Sequence, residues 1–339
     1  MSTLGGDLYT LYDWAKELAP DGKSLQRMAM LLSQKNQFLD VLPFVKGNLP
    51  TGHQATVQTG LPTPTWRMLN SGVPNTTDST AQIDFQCGML SDRSQVDRKI
   101  AKLNGNEKQY RYRRMEAHME GMSQEMAQTS IYGTAASAAE FVGLASYYSD
   151  SSAENGEQIL LAGGSGSDTT SIYLVGLSDT TIYGIFPSNS QAGLMHEDLG
   201  LQDAFDASNN RYRAYMDNYE WDAGLVVEDW RYGARIANIE VSDLVALTST
   251  QALTASTSII KLMTKLIDRI YSLDSCTPYF LVNRTVASNM RIAALDSSNT
   301  VVTVQEATNQ FGKRYEQLRF HGIPLLINDC ITNAETAIS

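Results

Sequence analysis

Residues 106–132 constrain this chain more than any other stretch. Tyr112, Met115, Met119, Met122 and Met126 recur at alternating steps of three and four, which lays one narrow aromatic and methionine seam along a helix. Asn106 with Gln109 three residues on has the pattern of a capping box, and Gly133 is placed to supply a left-handed stop. At about 1.5 Å per residue the helix is a rod of about 39 Å, more than twice the length of an average globular helix. The seam predicts that one side is fixed to something. Lys108, Arg111, Arg113, Arg114, Glu116, Glu120 and Glu125 keep the rest wet. Basic residues crowd the first turns, where the macrodipole favours acids by about 0.3 kcal/mol or more each. Those charges are therefore expected to serve a partner.

The remainder of the chain is large enough for a core of its own. Its 339 residues allow one large domain or two to three smaller ones. With 42% apolar and 19% charged residues it is globular and slightly short of charge for a monomer's surface, so part of that surface is expected to lie against neighbours. No apolar run reaches the roughly eighteen residues of a spanning helix, and no signal peptide is evident; the expectation is a soluble protein made in the cytoplasm, with no membrane partner. Cys87, Cys276 and Cys330 are too few and too scattered for a disulfide framework or a zinc site. The net charge of −11 argues against general nucleic-acid binding, and it is uneven. Residues 91–120 hold eight Lys or Arg against five Asp or Glu, whereas residues 140–243 hold four against seventeen.

Ahead of the rod, Leu8, Leu11, Trp14 and Leu18, then Leu25, Met28 and Leu32, predict two short amphipathic helices hinged at Pro20–Gly22. From Val45 to Leu90 the chain is helix-poor, with Pro50, Pro62, Pro64 and Pro74. Ala81, Ile83, Phe85, Cys87 and Met89 alternate as in a half-buried strand, and Asn70–Val73 reads as a turn, so the stretch predicts a long two-stranded hairpin. An isolated hairpin is barely stable in water, so another surface must support it. Beyond the rod, residues 149–170 read as a loop, SIYLVGL and TIYGIF as a hairpin around Ser178–Thr180, and Gly224–Glu240 as strand-rich. After Ser242, helices over about 256–273 and 284–295 alternate with strands in TPYFLVN, Val301–Val304 and GIPLLIND, predicting an α/β unit over 243–328.

Motifs for chemistry are lacking. The four histidines have no zincin spacing, and His118 beside the seam reads as a packing residue. Gly22–Lys23–Ser24 imitates the end of a phosphate loop, but Glu17 stands where its first glycine belongs. The cluster Gly163–Gly166 fails the nucleophile-elbow spacing because Ser167 takes the last glycine position. Glu197 with Asp198, and Glu228 with Asp229, are strand neighbours that point to opposite faces. No catalytic residue, cofactor or metal is expected: the chain is built to pack.

An N-terminal arm, an extended hairpin, a long spine helix, a strand-rich periphery and a C-terminal α/β unit, in that order, resemble the tailed-phage major capsid proteins of the Hong Kong 97 fold. The stretches LPTPTWRMLNSGV, MAQTSIYGT, IYGIFPSNSQAGLMHEDLG, WDAGLVVEDWRYGARIANIE, YFLVNRTVASNMRIAAL and GKRYEQLRFHGIPLLINDC carry the likeness, which spans most of residues 40–330. It is their order, more than any one motif, that identifies the family, which includes the coats of short-tailed and related phages.

The resemblance implies an α+β fold with an N-terminal arm (1–44), an extended loop laid over an adjacent subunit (45–90), and a peripheral domain (91–242) carrying the spine helix (106–132). It further implies an axial domain around five-fold and six-fold centres (243–328) and a C-terminal tail (329–339). The implied function is a coat subunit forming pentamers and hexamers that enclose double-stranded DNA; an encapsulin-like compartment is the alternative. Inter-subunit contacts are expected at Trp66, Arg67, Met68 and Leu69 in the hairpin. They are also expected at Arg111, Arg113 and Arg114 of the spine, which face either packaged DNA or, by preference, the acidic 140–243 surface of the next subunit, and at Asp222, Glu228 and Asp229. Some relatives cross-link through a loop lysine, but no lysine occurs from Gly47 to Arg98, so no such chain-mail is expected. With only a short arm before the loop, a separate scaffolding protein is expected, along with a portal and an optional decoration protein.

Overall fold

Strand β6 (Thr169–Leu177) is buried along its whole length, and the two sides of the protein are built on its two faces. In the computed structural model, residues 34–103, 107–137, 139–206, 208–244, 258–294, 302–308 and 314–338 are described. The two expected N-terminal helices and the Asn106 cap lie outside them. Within them the chain forms α1 (Phe38–Val41), β1 (Phe44–Lys46), β2 (Gly52–Gly60), β3 (Ser79–Gln86), β4 (Gly88–Asp97), α2 (Arg98–Lys102) and α3 (Glu107–Tyr132). Then come α4 (Leu144–Tyr147), β5 (Ile159–Leu161), β6, β7 (Ile182–Phe186), β8 (Met195–Phe205), β9 (Arg211–Val227) and β10 (Gly233–Glu240). The last are α5 (Ile259–Arg269), β11 (Thr277–Val282), α6 (Arg284–Ala294), β12 (Val302–Thr308), β13 (Arg314–Phe320) and β14 (Ile323–Ile327).

The alternation of strand side chains separates the core into two layers. Ile172 and Leu174 of β6, with Phe280 and Val282 of β11, pack under α5 and α6. Tyr173, Val175 and Leu177, with Leu281, face the opposite way and pack against Phe38 and Leu42 of the α1 region and Met126 and Ile131 of α3. The α/β unit expected over 243–328 is therefore not closed on itself. Its β11 pairs antiparallel with β6, which pairs antiparallel with β10 on its other edge, so the C-terminal helices complete a core begun before them.

Two local expectations are corrected. SIYLVGL and TIYGIF are not a hairpin: β6 and β7 meet at one parallel bridge, Leu177 with Ile182. The Thr181 hydroxyl donates to the Gly176 carbonyl at 2.7 Å and holds the connection as a bend. β7 then pairs with β9 and β1 instead. Gly133 does not end α3 by a left-handed turn, since its φ is not positive. It is glycine because a Cβ there would overlap the Phe141 and Thr129 carbonyl oxygens, and Gly143 sits against the same helix end. The two glycines let the returning chain cross the helix terminus in contact with it, where the Gly143 N–H donates to the Gly133 carbonyl at 2.9 Å.

The extended hairpin is present. β2 and β3 pair antiparallel, Gly52 opposite Gln86, as a two-stranded sheet of their own. Among the described residues its base is the part that is fixed, through Ala55 and Phe85 against Tyr183, Ile185 and Val226. The turn lies at Met68–Ser71, with Asn70 at φ 64°. The expected strand over 81–89 stops at Gln86, and Met89 belongs to β4, which begins at Gly88 and pairs with β9.

Candidate assembly surfaces

β4, β9 and β8 form a three-stranded sheet in the order β4–β9–β8. Register places Asp92, Tyr219 and His196 side by side, then Ser94, Asp217 and Asp198. The spine lies over these rows. His118 and His196 both stack on Tyr219, with centroid separations of 5.6 and 5.0 Å. His118 Nδ1 lies 2.5 Å from Asp92 Oδ2 and His196 Nε2 lies 3.1 Å from Asp217 Oδ1. Arg111 donates to Asp198 at 2.6 Å and Asp217 at 2.9 Å, and its guanidinium lies over Tyr215. Burial opposes the charge of Arg111, but its bonds to these two carboxylates outweigh that and raise its pKa. Burial, and after it the charges of Asp217 and Asp92, push the Tyr219 phenol up to about 12.

This geometry corrects the expected seam. Met122 and Met126 are buried, but Tyr112 is 55% and Met119 is 39% exposed. The stripe that touches the sheet runs through His118, Arg111 and the buried Tyr110 instead, because much of the surface beneath the helix's first half is polar. The carboxylates that meet Arg111 belong to its own chain and are Asp198 and Asp217, not Asp222, Glu228 or Asp229. Arg114 bonds the Tyr110 hydroxyl at 3.0 Å, while Arg113 Nη1 is buried without a hydrogen-bond partner among the described residues. Nothing in the residue periodicity marked Asp217, Tyr219 or His196; they are joined to the spine only by strand register.

Asp222 sits opposite Met89. Its charge acts on Cys87, whose thiol is pushed up to about 11 by burial first and Asp222 second. Glu228 accepts from the Tyr183 hydroxyl at 3.1 Å. Asp229 caps a short turn and grips Arg231, and Arg231 covers Tyr271 at 4.4 Å. These acids thus occupy two places, the sheet and the far end of β9. The four hairpin residues do come together: Trp66 is fully exposed, Leu69 is 93% exposed, and Arg67 and Met68 lie beside them.

No group of three or more His, Cys, Asp or Glu among the described residues converges to hold a metal. Burial pushes the Cys330 thiol up to about 12, the opposite of an activated nucleophile. No described helix is long and apolar enough to cross a membrane.

The family described as major capsid protein GP7 matches residues 19–339. No curated protein matches. Among solved structures, a chain of bacteriophage Epsilon15 is similar at 25% identity and TM-score 0.77, over 100% of this chain and 99% of that one. The capsid of bacteriophage JBD30 is 12% identical with TM-score 0.48, over 89% and 93%. The SrpI encapsulin complex of Synechococcus elongatus is 9% identical with TM-score 0.44, over 69% and 96%. The last two likenesses are too distant to carry an argument.

Proposed function

Because the chain belongs to the major capsid protein GP7 family, we propose that it assembles as pentamers and hexamers that close into an icosahedral head around double-stranded DNA. Its fold is the Hong Kong 97-like fold of tailed-phage coats, and its place is the virion capsid, as a structural subunit. In this reading it catalyses nothing, is made in the host cytoplasm, and assembles with a separate scaffolding protein and a portal; a decoration protein is a further partner. The packaged DNA is enclosed without sequence-specific contact, in keeping with the net charge of −11.

One observation carries the assembly reading. A ribbon of two strands, of nine and eight residues and so about 30 and 27 Å long, ends in an apolar tip that is exposed to solvent among the described residues. Such a ribbon is marginal alone, and an adjacent copy supplies the missing surface. In the proposed division, residues 45–90 are that loop, 91–242 the peripheral domain and 243–328 the axial domain. Residues 1–44 are the arm and 329–339 the tail. Arg113, Arg114, Asp222, Glu228 and Asp229 belong to the contacts between copies, with Arg111 already paired internally.

Negative-stain microscopy of the protein expressed alone and with its scaffold tests the reading. Uniform closed shells are expected in at least one condition. Replacing residues 61–78 by Asn-Gly should leave the circular dichroism of the subunit intact and abolish the shells. Shells of normal yield from that variant would remove the hairpin from the mechanism.

A further inference from the structure

A pocket of about 200 Å³ opens where the second half of α3, the start of β4 and the chain returning past the helix end meet. Its floor is built in. Met126 and Phe141 are 3% and 5% exposed and belong to the core that backs α3, with Leu90 packed against it. Gly88 closes one side: a Cβ there would stand 3.1 Å from the Ala139 carbonyl oxygen and 3.4 Å from the Phe141 ring, so glycine lets the strand come this close without displacing either. The mouth is different. Met89 is 78% exposed, and Glu125 and Glu140 also line the opening and are exposed. Neither carboxylate has an ion-pair or hydrogen-bond partner among the described residues, and no Lys, Arg or His lines the pocket. The exposed lining is therefore mainly apolar, with two unpaired negative charges on it.

That combination selects a chemistry. An anion is repelled, and a neutral apolar molecule leaves both carboxylates unanswered. A hard divalent cation requires a shell of oxygen ligands, whereas these walls offer two thioethers, an isobutyl group and a phenyl ring. A cation carried on an aliphatic stem satisfies both parts. Its methylenes displace water from Met89, Leu90, Met126 and Phe141, while its charge stays in water beside the carboxylates, as a lysine does when it lies across an apolar surface. Methionines suit such a flexible guest because their own side chains adjust to it. Volume sets the length: an apolar cavity of about 150 Å³ accepts benzene, so this pocket holds a stem of about eight heavy atoms.

We infer that this pocket binds an aliphatic polyamine, with its stem against Met89, Met126 and Phe141 and its ammonium groups on Glu125 and Glu140. Bound there, the polyamine ties α3 to the first residues of β4, the strand that follows the hairpin. Binding is a property of the single subunit. In the coat reading above, the condensed counterions of the enclosed double-stranded DNA are its source; that source rests on the reading, and the site does not.

Titration of the unassembled subunit with cadaverine, followed by calorimetry and by the methionine methyl resonances, tests the site. Saturable binding with a dissociation constant on the order of 1 mM or below is expected, with spermidine at least as tight and a raised thermal midpoint at saturation. The methyl resonances of Met89 and Met126 should move. Pentanediol, which has the same stem without charge, and sodium chloride at equal ionic strength should not move them. Glu125→Gln and Glu140→Gln should each weaken binding about threefold to tenfold. Ala139→Leu, which fills the pocket from an exposed position, should abolish binding with the circular dichroism unchanged. No saturable binding, equal binding by the Glu125→Gln/Glu140→Gln double variant, or the same shifts from salt or pentanediol would overturn the site, whether or not shells form. A subunit that binds cadaverine as expected but never assembles leaves the site standing and removes the coat reading alone.

Discussion

Arg235 and Glu335 meet at 2.9 Å with both side chains about 5% exposed. Around them the Tyr132 hydroxyl donates to Glu335 at 2.5 Å, the Ser171 hydroxyl donates to it as well, and Arg235 also donates to the Tyr148 carbonyl. Three distant parts of the chain, the last residue of α3, the sheet and the C-terminal strap, are tied at this one buried ion pair. Glu335→Ala leaves a guanidinium in the core without a counter-charge, and a loss of about 3–5 kcal/mol is expected in urea denaturation of the subunit. A second residue-scale expectation concerns acid. Arg111 donates to Asp198 and outweighs its partial burial. Burial likewise acts upward on Asp329, but its bonds to Arg284 and Lys35 more than offset that. Both carboxyls are thus held below the ordinary range. A depressed folded pKa gives stability that is full above the unfolded value of about 3.9 and is lost as pH falls through the folded one. Thermal midpoints followed down to about pH 2.5 should therefore fall below about pH 4, and Asp198→Asn with Asp329→Asn should flatten that fall.

Glycines separate two kinds of position along the spine. Gly121 lies in mid-helix with nothing within 4 Å of where a methyl group would stand, whereas Gly133 and Gly143 face backbone oxygens at the helix end. Gly121→Ala is expected to stabilise the subunit by about 0.5–1 kcal/mol through helix propensity. Gly133→Ala should cost about 1–3 kcal/mol through forced backbone shifts. Chemical denaturation of the two variants side by side checks both signs. The existence and length of this helix were legible in its sequence, because periodicity over about seven turns is a strong signal. Which stripe is buried was not. Met119 and His118 are neighbours in the chain, and only the register of Tyr219 beneath them decides that the histidine is the one in contact.

At the scale of the molecule, the hairpin is the part least supported by its own chain. Among the described residues β2 and β3 pair only with each other, and the base alone is packed in a hydrophobic cluster. Their amides should exchange with deuterium rapidly in the free subunit and slowly in assembled shells, because opening a two-stranded ribbon exposes little core. Amides of β6, buried on both faces, should be slow in both states. Equal protection of the hairpin before and after assembly would contradict the account of how copies hold one another.

What the sequence determined by itself were the features set by local chemistry: the long helix, the extended strand β3, the turn near Asn70 and the order of elements that marks the family. Tertiary structure decided the pairings. Two strands with a short connector read as a hairpin, yet β6 and β7 part because β10 and β11 occupy both edges of β6. Charges on the spine read as free for a partner, yet Asp198 and Asp217 reach Arg111 from 87 and 106 residues away. Periodicity says that a face is covered; only the packed chain says by what.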